Sequence, residues 1–362
     1  MMIKDGTKSY YYHLDSLRGM AALIVVLLHA NWTNHFTQNS FIKFGAIFVD
    51  FFFVLSGIVI CHAYPNIRAG ADFWTFMKRR FARLYPLHFI TLIAVAPGFL
   101  LIYLLFPGMW AGAAGLPEMQ DLPQKFFLNL VFLNAHSLTN DNSFNAPSWS
   151  IGAETTCYIL YGVISLFYFE KRTIIYVTLV VLSFLALISF GKGIVGFQYN
   201  FGFLRGIYGF FIGCAVYALR FRTQIVPPAN IFLLIFFSAL TVLLLAGREH
   251  FPSRFTFFYP ILFGVLIYLL ITPDGRVARF LQMRLFLLLG TLSYSIYMLH
   301  FLVKWGINLT ASLLMPVKGS GALIVMPVWT GDLLLVLYLS LVLGISWVSY
   351  NYFEEPMRRY LR

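Results

Sequence analysis

The fold class is decided by residues 14–29, which read LDSLRGMAALIVVLLH. The apolar run around them, about 13–33, is long enough to cross a membrane as a helix. Arg18 and His29 nevertheless lie within it, and their spacing corresponds to about three helical turns, or roughly 16 Å along the axis. Ionisable groups inside a membrane are costly and usually mark a pathway or a reaction site. We therefore expect one helix to bind a phosphate-bearing group at one level and to move protons at another.

The composition extends this pattern to the whole chain. Of its 362 residues, 60% are hydrophobic and only 11% are charged, whereas an ordinary soluble domain has about 25% charged residues. Mean hydropathy is +0.78. These values predict an all-α fold, a polytopic transmembrane helical bundle in the cell (inner or plasma) membrane, in contact with membrane lipid. The net charge of +12 is explained by basic residues sorted to one membrane side, so we expect no nucleic-acid partner.

About ten apolar runs have the length of a span. They are approximately 13–33, 44–63, 86–106, 148–169, 173–190, 200–219, 229–246, 256–272, 284–308 and 331–352. The shorter segment 123–138 is expected to be interfacial or re-entrant. With this layout, eighteen of the 26 lysines and arginines fall on one side, seven fall on the other and Arg205 lies within a span. The asymmetry predicts cytoplasmic N- and C-termini.

The layout predicts one membrane-embedded domain over 1–362, with no fused soluble domain. Its longest connection, about 107–147, lies on the outer side, and a loop of this length is usually functional. The three cysteines, Cys61, Cys157 and Cys214, have no metal-ligand spacing. We therefore predict no metal site and interpret the thiols as packing groups.

Five ionisable residues are predicted at a similar depth, toward the outer ends of their spans. They are His29, Asp50, Glu154, Arg205 and His300. Such groups avoid lipid, so we expect them to converge on a polar cavity that opens outward.

The roles of these five groups remain alternatives at this point. His29 is either a packed, hydrogen-bonded group or, as its spacing from Arg18 favours, a general acid or base. Glu154 either neutralises Arg205 or another buried cation, or instead orients His29 or receives a proton. Arg205 pairs with Asp50 or Glu154, or binds an anion. Asp50 and His300 are expected to support the site.

Helical spacing places further polar groups on the same faces. Ser150 shares a face with Glu154, and Tyr297 shares one with His300. A stripe of small residues, Gly202, Gly206, Gly209 and Gly213, is expected to let a neighbouring helix approach closely.

The opposite, inner rim has the basic stretch KRRFARLYP at 78–86. Topology and anionic lipid headgroups account for its first two cations. Arg80 and Arg83 are three residues apart and thus neighbours on a helix, where they form a phosphate clamp. Because Arg18 enters from the same side, we expect three guanidinium groups at the cytoplasmic mouth.

Six segments in this order, spread over nearly the whole chain, resemble the acyltransferase-3 family of integral membrane acyltransferases. They are LDSLRG at 14–19 with its R-x10-H pair, FVDFFFVLSG at 48–57, RRFARLYP at 79–86, SWSIGAE at 148–154, LSYSIYMLH at 292–300 and FEEP at 353–356.

The resemblance implies transfer of an acyl group, most often acetyl, from cytoplasmic acyl-coenzyme A to a hydroxyl of a glycan or glycolipid at the outer side. The family's essential histidine corresponds to His29, its first-helix arginine to Arg18 and its R-x-x-R pair to Arg80 and Arg83. Acyl-coenzyme A is then a co-substrate, and no permanently bound cofactor is expected. Members are often fused to a periplasmic hydrolase-like domain, whereas this sequence ends at Arg362, so a second step would need a separate periplasmic partner enzyme.

The remaining site predictions concern supporting residues, which are Asp15, Asp50, Trp149, Ser150, Arg205, Tyr297 and His300. His29 and Glu154 are the predicted catalytic residues, with His29 acting as base or as acyl acceptor. Two other functions remain open: a proton-coupled transporter or flippase, and an acyltransferase acting on a small-molecule acceptor.

Overall fold

The computed structural model describes residues 11–105, 121–142, 144–223, 253–271, 275–314 and 325–361. Within these ranges the regular structure is helical and includes no strand, which confirms the all-α prediction. The helices are α1 (Tyr12–Leu28), α2 (Ser40–Lys43), α3 (Phe48–Ala63), α4 (Gly70–Leu105), α5 (Leu122–Leu130), α6 (Trp149–Phe167), α7 (Arg172–Ser189), α8 (Gly202–Thr223), α9 (Tyr259–Leu270), α10 (Gly275–Leu281), α11 (Arg284–Leu314), α12 (Val328–Ser349) and α13 (Glu355–Tyr360).

Seven stretches of the described helices are long and apolar enough to cross a membrane. They are Gly45–Ala63, Gly70–Gly98, Ala146–Phe167, Phe169–Ser189, Gly202–Arg220, Arg284–Thr310 and Val328–Tyr360. α1 and α9 are shorter, with 17 and 12 residues. The predicted span 229–246 lies outside the described residues. These lengths agree with a multi-pass helical membrane protein.

The predicted third span, 86–106, forms the second half of a longer helix, because α4 begins at Gly70. The Asp72 carboxylate accepts hydrogen bonds from the backbone N–H groups of Arg68 (3.2 Å) and Ala69 (3.1 Å), which satisfies donors at the helix start. Pro86 lies inside the helix, where neighbouring helices in a bundle make proline tolerable. The basic stretch 78–86 is therefore helical.

Two other predicted boundaries also shift. α1 ends at Leu28, and His29 follows as its C-cap, with its N–H bonded to the carbonyls of Val25 and Val26. The apolar run to residue 33 misplaced this end because the chain stays largely buried after the helix, with Trp32 in the core. In the segment 123–138, the helix α5 ends at Leu130 and an irregular chain follows.

Glycines bring two pairs of helices into backbone contact. On α8, a Cβ added at Gly213 would lie 2.0 Å from the Val54 carbonyl oxygen of α3, which confirms that the small-residue stripe serves close approach. On α1, a Cβ added at Gly19 would lie 2.4 Å from the Leu289 carbonyl carbon of α11. A Cβ added at Gly290 of α11 would lie 2.5 Å from the backbone carbonyl oxygen of Asp15. These two crossings position the helices that bear the candidate site.

Candidate active site

A cavity of about 100 Å³ lies among α1, α3, α4, α6 and α11. Its charged lining consists of Arg18, Arg80, Arg83 and Glu154. Hydroxyl groups of Ser56, Ser150, Tyr158, Ser293, Tyr294 and Tyr297 line it as well. Two separate predicted segments therefore contribute three cations to one space.

Arg18 is held in place from both α1 and α11. Its guanidinium group lies 2.9 Å from the Asp15 carboxylate. Its Nε donates to the Ser293 hydroxyl (2.8 Å), and a terminal nitrogen donates to the Gly290 carbonyl (3.1 Å). The role of Asp15 is therefore positional, since it orients an arginine that faces the cavity.

Arg80 points into the same cavity from α4. One terminal nitrogen donates to the Tyr64 hydroxyl at 3.0 Å, and the guanidinium carbon lies 5.1 Å from the centroid of the Tyr64 ring. Its Nε is buried without a hydrogen-bond partner in the described structure. An unsatisfied charged donor at a cavity wall is costly, so the site is suited to an anionic ligand.

Glu354 belongs to the same charged region, and the sequence analysis assigned it no role. A π-helical turn, Tyr350–Glu354, joins α12 to α13. Such a turn has one residue more than an α-helical turn, which rotates the side chains that follow by about 100° about the helix axis. Glu354 is only 2% exposed and accepts a hydrogen bond from Ser295 at 2.5 Å. Its carboxylate interacts electrostatically with Arg83 and Arg18. The FEEP segment at 353–356 pointed to this part of the sequence, but the direction of the Glu354 side chain depends on the π-helical turn.

Glu154 accepts two short hydrogen bonds. The donors are the hydroxyls of Ser56 and Tyr158, each 2.5 Å from the same carboxylate oxygen. The two hydroxyl oxygens are 3.2 Å apart. Its hydrogen-bond partners in the described part of the chain are thus hydroxyl groups on α3 and α6, and neither Arg205 nor His29 is among them.

Ser150 and Tyr297 occupy the other end of the cavity. Their hydroxyl oxygens are 2.9 Å apart, and the Tyr297 hydroxyl donates to the Pro147 carbonyl at 3.2 Å. Phe52 packs edge-on against Tyr297, with ring centroids 5.6 Å apart. These groups link α3, α6 and α11 at this level.

His29 and His300 lie outside the cavity lining, with their ring centroids 4.9 Å apart. Each Nδ1 lies next to a carbonyl of its own helix, Val25 for His29 (2.8 Å) and Tyr297 for His300 (2.7 Å). A carbonyl only accepts hydrogen bonds, so we assign the proton of each neutral ring to Nδ1. Both Nε2 atoms are then proton acceptors, and that of His300 is buried without a partner in the described structure.

Asp50 and Arg205 form a closed ion pair between α3 and α8. Two nitrogens of Arg205 lie 2.9 and 2.8 Å from the two carboxylate oxygens, and the side chains are 0% and 1% exposed. Arg205 also donates to the carbonyls of Phe197 and Ala46 and packs over the ring of Trp149. Arg205 thus pairs with Asp50 rather than Glu154, and Trp149 packs beside the pair.

The prediction that all five outer ionisable groups share one cavity was therefore wrong. Glu154 lines the cavity, the two histidines lie next to each other beyond Tyr297, and Asp50 and Arg205 neutralise each other. The physical reason is that a buried bidentate pair uses its charges internally and leaves nothing for a ligand.

Polar and ring contacts hold the described part of the connection 107–147 in place. Lys125 is buried and lies 2.6 Å from the Asp141 carboxylate. His136 stacks on Phe203 (5.0 Å) and bonds to the Thr156 hydroxyl (2.9 Å), and burial lowers the pKa of His136. Within the described ranges, no group of three or more His, Cys, Asp or Glu residues has an arrangement that could hold a metal.

Comparisons with known proteins identify the family to which the chain belongs. The profile of acyltransferase 3, described as an acyltransferase domain, matches residues 11–351. The chain is 34% identical over 159 residues to Protein 2 in the picA locus of Rhizobium radiobacter, which covers 41% of this chain and 79% of that protein. It is 31% identical over 155 residues to the acyltransferase MdmB of Streptomyces mycarofaciens, covering 41% of this chain and 37% of MdmB.

A longer match joins the chain to the O-acetyltransferase OatA of Staphylococcus aureus. The two are 24% identical over 383 residues, which is 97% of this chain and 57% of OatA, so the chain spans little more than half of that relative. No solved structure matches the chain. On the family match over residues 11–351, the chain belongs to the acyltransferase-3 family and is a helical membrane acyltransferase.

Proposed function

We propose that the protein transfers an acyl group, most simply acetyl, from acyl-coenzyme A to a hydroxyl of a cell-surface or exported carbohydrate. The observation that carries this proposal is the cavity into which Arg18, Arg80 and Arg83 project from two helices. Guanidinium groups bind phosphate by paired hydrogen bonds, and coenzyme A bears phosphates at the end opposite its thioester. The name of OatA supports the O-acetyl product.

The donor enters from the arginine side, which is the cytoplasmic side by the lysine and arginine distribution. Arg80 and Arg83 bind its phosphates, and Arg18, held by Asp15 and Ser293, contributes a third cation. Acyl-coenzyme A acts as a co-substrate that leaves after each turnover. The membrane concerned is the cell membrane.

The thioester end of the donor then lies toward Tyr297. The hydroxyl of this residue faces the cavity beside Ser150, while its backbone carbonyl accepts from Nδ1 of His300. Tyr297 therefore contacts both the cavity and the histidine pair. The axial distance from Arg18 to His29, roughly 16 Å, suits a donor that is held by its phosphates at one end.

His29 supplies the proton chemistry. Its Nε2 takes the proton of the acceptor hydroxyl as the oxygen bonds to the thioester carbonyl carbon. The carbon–sulfur bond breaks, and the coenzyme A thiolate leaves and takes up the proton from His29. A route in which Nε2 first carries the acyl group uses the same nitrogen. The His300 ring packs against the His29 ring, with ring centroids 4.9 Å apart, and the outer connection presents a glycan or glycolipid.

Labelled acetyl-coenzyme A tests the proposal. Membranes containing the parent protein are expected to transfer the label to the glycan and lipid-linked sugar fraction. A separate periplasmic partner enzyme, where one exists, would then act on this labelled product. His29→Ala is expected to lower transfer by about 100- to 10,000-fold, the range of general base catalysis. His35→Ala is the matched control, because His35 pairs with Asp332 outside the cavity.

Equal labelling by the parent and by His29→Ala, at equal protein abundance, would contradict the mechanism. Label found in a soluble antibiotic or peptide instead of a sugar would replace the acceptor class and keep the enzyme. The family match favours this enzyme over a transporter or flippase.

A further inference from the structure

A second cavity, of about 270 Å³, lies where α3, α6 and α8 end and α7 begins. Tyr64 separates it from the candidate active site. The Tyr64 hydroxyl accepts from Arg80, and its carbonyl accepts from the Tyr161 hydroxyl, which lines the second cavity (2.8 Å). The proposed transfer reaction uses no residue of this second cavity.

One arginine lines this cavity, and a second packs against the Phe169 ring of its lining. Arg172 lines it and donates one hydrogen bond to the Pro65 carbonyl at 2.6 Å. Its guanidinium carbon lies 4.0 Å from the centroid of the Phe169 ring, and that of Arg68 lies 3.9 Å from the same centroid. The two positive charges beside one ring repel each other. An anion bound in the cavity next to Arg172 would reduce that repulsion.

A buried hydroxyl group indicates a ligand independently of these cations. Tyr176 lines the cavity and is only 2% exposed, and the hydroxyl of Ser165 lies near its own, but neither hydroxyl has a hydrogen-bond partner of normal geometry in the described structure. A buried polar group without a hydrogen-bond partner destabilises a folded protein. Thr173, one turn earlier on α7, lines the cavity as well. A phosphate group would accept from both hydroxyls and from Arg172.

The cavity also has a carboxylate and a lipid-facing border. Glu170 lines it beside Arg172, so a cation and an anion are offered together. Phe167 and Ile174, on either side of Glu170 in the chain, are 69% and 71% exposed. They flank the cavity at the ends of two candidate spans, where lipid headgroups lie and where basic pockets between helices bind them.

We propose that this cavity binds the headgroup of a zwitterionic aminophospholipid of the phosphatidylethanolamine class. Arg172, Thr173 and Tyr176 bind the phosphate, and Glu170 binds the ammonium group. The acyl chains then lie along the exposed apolar side chains of α6 and α7.

Native mass spectrometry of the purified, delipidated protein with short-chain phospholipids tests this assignment. The parent is expected to retain one phosphatidylethanolamine at least tenfold more tightly than phosphatidylglycerol, because only the former has an ammonium group. Arg172→Gln and Tyr176→Phe are each expected to weaken this binding about tenfold. Glu170→Gln is expected to make the two lipids bind equally. Lys171→Gln, which alters an exposed cation outside the cavity lining, is the matched control and retains the parental binding.

Tyr176→Phe keeps the ring and the Arg172–Pro65 contact, so it separates loss of the site from loss of the fold. Parental lipid binding by both Tyr176→Phe and Arg172→Gln would overturn the site. Equal affinity of the parent for the two lipids would overturn the role of Glu170. Soluble phosphoethanolamine that bound as tightly as the lipid would overturn the lipid as the source of the phosphate.

Discussion

Arg205 and Arg80 are both arginines in membrane-spanning helices, but their surroundings differ in one decisive respect. Arg205 directs its hydrogen bonds to Asp50 and to two backbone carbonyls and is almost fully buried. Arg80 has one hydroxyl partner, a buried Nε without a partner in the described structure, and a cavity in front of it. A satisfied ion pair stabilises the protein, whereas an arginine with remaining donors is available to a ligand.

The largest effect is expected from opening the satisfied pair. Asp50→Ala leaves the Arg205 charge buried and uncompensated, which costs about 3–5 kcal/mol. Thermal unfolding in detergent should show a large loss of stability, together with loss of protein from the membrane. The double variant Asp50→Ala with Arg205→Met should regain much of the stability because it buries no charge. A stable single variant would show that the pair is not closed.

Removing the cations at the cavity should affect binding of the donor and leave the stability of the protein nearly unchanged. Arg80→Ala with Arg83→Ala is expected to raise the KM for acetyl-coenzyme A by at least about tenfold, since each charge-assisted hydrogen bond contributes about 1.5–3 kcal/mol. The unfolding temperature should change little. Lys78→Ala with Arg79→Ala, two exposed cations on the same helix outside the cavity lining, is the control. A changed KM for the acceptor instead would mean that the arginines bind another substrate.

A smaller effect is expected from Ser295→Ala, which acts on the cavity through Glu354. Loss of the 2.5 Å hydrogen bond leaves the carboxylate less well oriented toward Arg83. The KM for the donor should rise about two- to fivefold, which corresponds to roughly 0.5–1 kcal/mol, with kcat unchanged. Ser349→Ala, on the nearby α12, serves as a serine control. An unchanged KM would separate Glu354 from the donor site.

The smallest effect concerns pH and the outer connection. Burial lowers the pKa of His136 in the folded protein below its ordinary value of about 6.5. The unfolded state therefore binds this proton more readily, and the stability contributed by neutral His136 is present above that value and decreases as the pH falls below it. Thermal unfolding of the parent and of His136→Gln is measured between about pH 7.5 and 5, a range that brackets the ordinary histidine pKa. The difference between their unfolding temperatures should be smaller at low pH than at high pH. Parallel curves would contradict this.

The sequence predicted the open arginines better than the closed pair, for a physical reason. Arg80 and Arg83 lie three residues apart on one helix, and Arg18 shares their membrane side, so local spacing and topology were sufficient. The choice of Asp50 as the partner of Arg205 depends on how far α3 slides along α8. Backbone contact at Gly213 sets that register, and a single sequence shows the small residues without showing the register.

Other misses have similar causes. The π-helical turn before α13 sets the direction of the Glu354 side chain, and such a turn has no clear sequence signature. The position of His29 beyond the end of α1 was hidden because the following chain is also apolar and buried. Ser56 contacts Glu154 because α3 packs beside α6, which local spacing does not predict, whereas Tyr158 lies one turn after Glu154 on the same helix face.

The crossing of α1 and α11 at Gly19 and Gly290 has a mechanical consequence. α1 bears Arg18 and ends next to His29, while α11 bears Tyr297 and His300. Because the two backbones touch, we expect these helices to move together, so that the separation between the phosphate end and the proton end of the site changes little during turnover. An opening that admits a substrate would then come from movement of α3, α4 or α6 against this pair of helices.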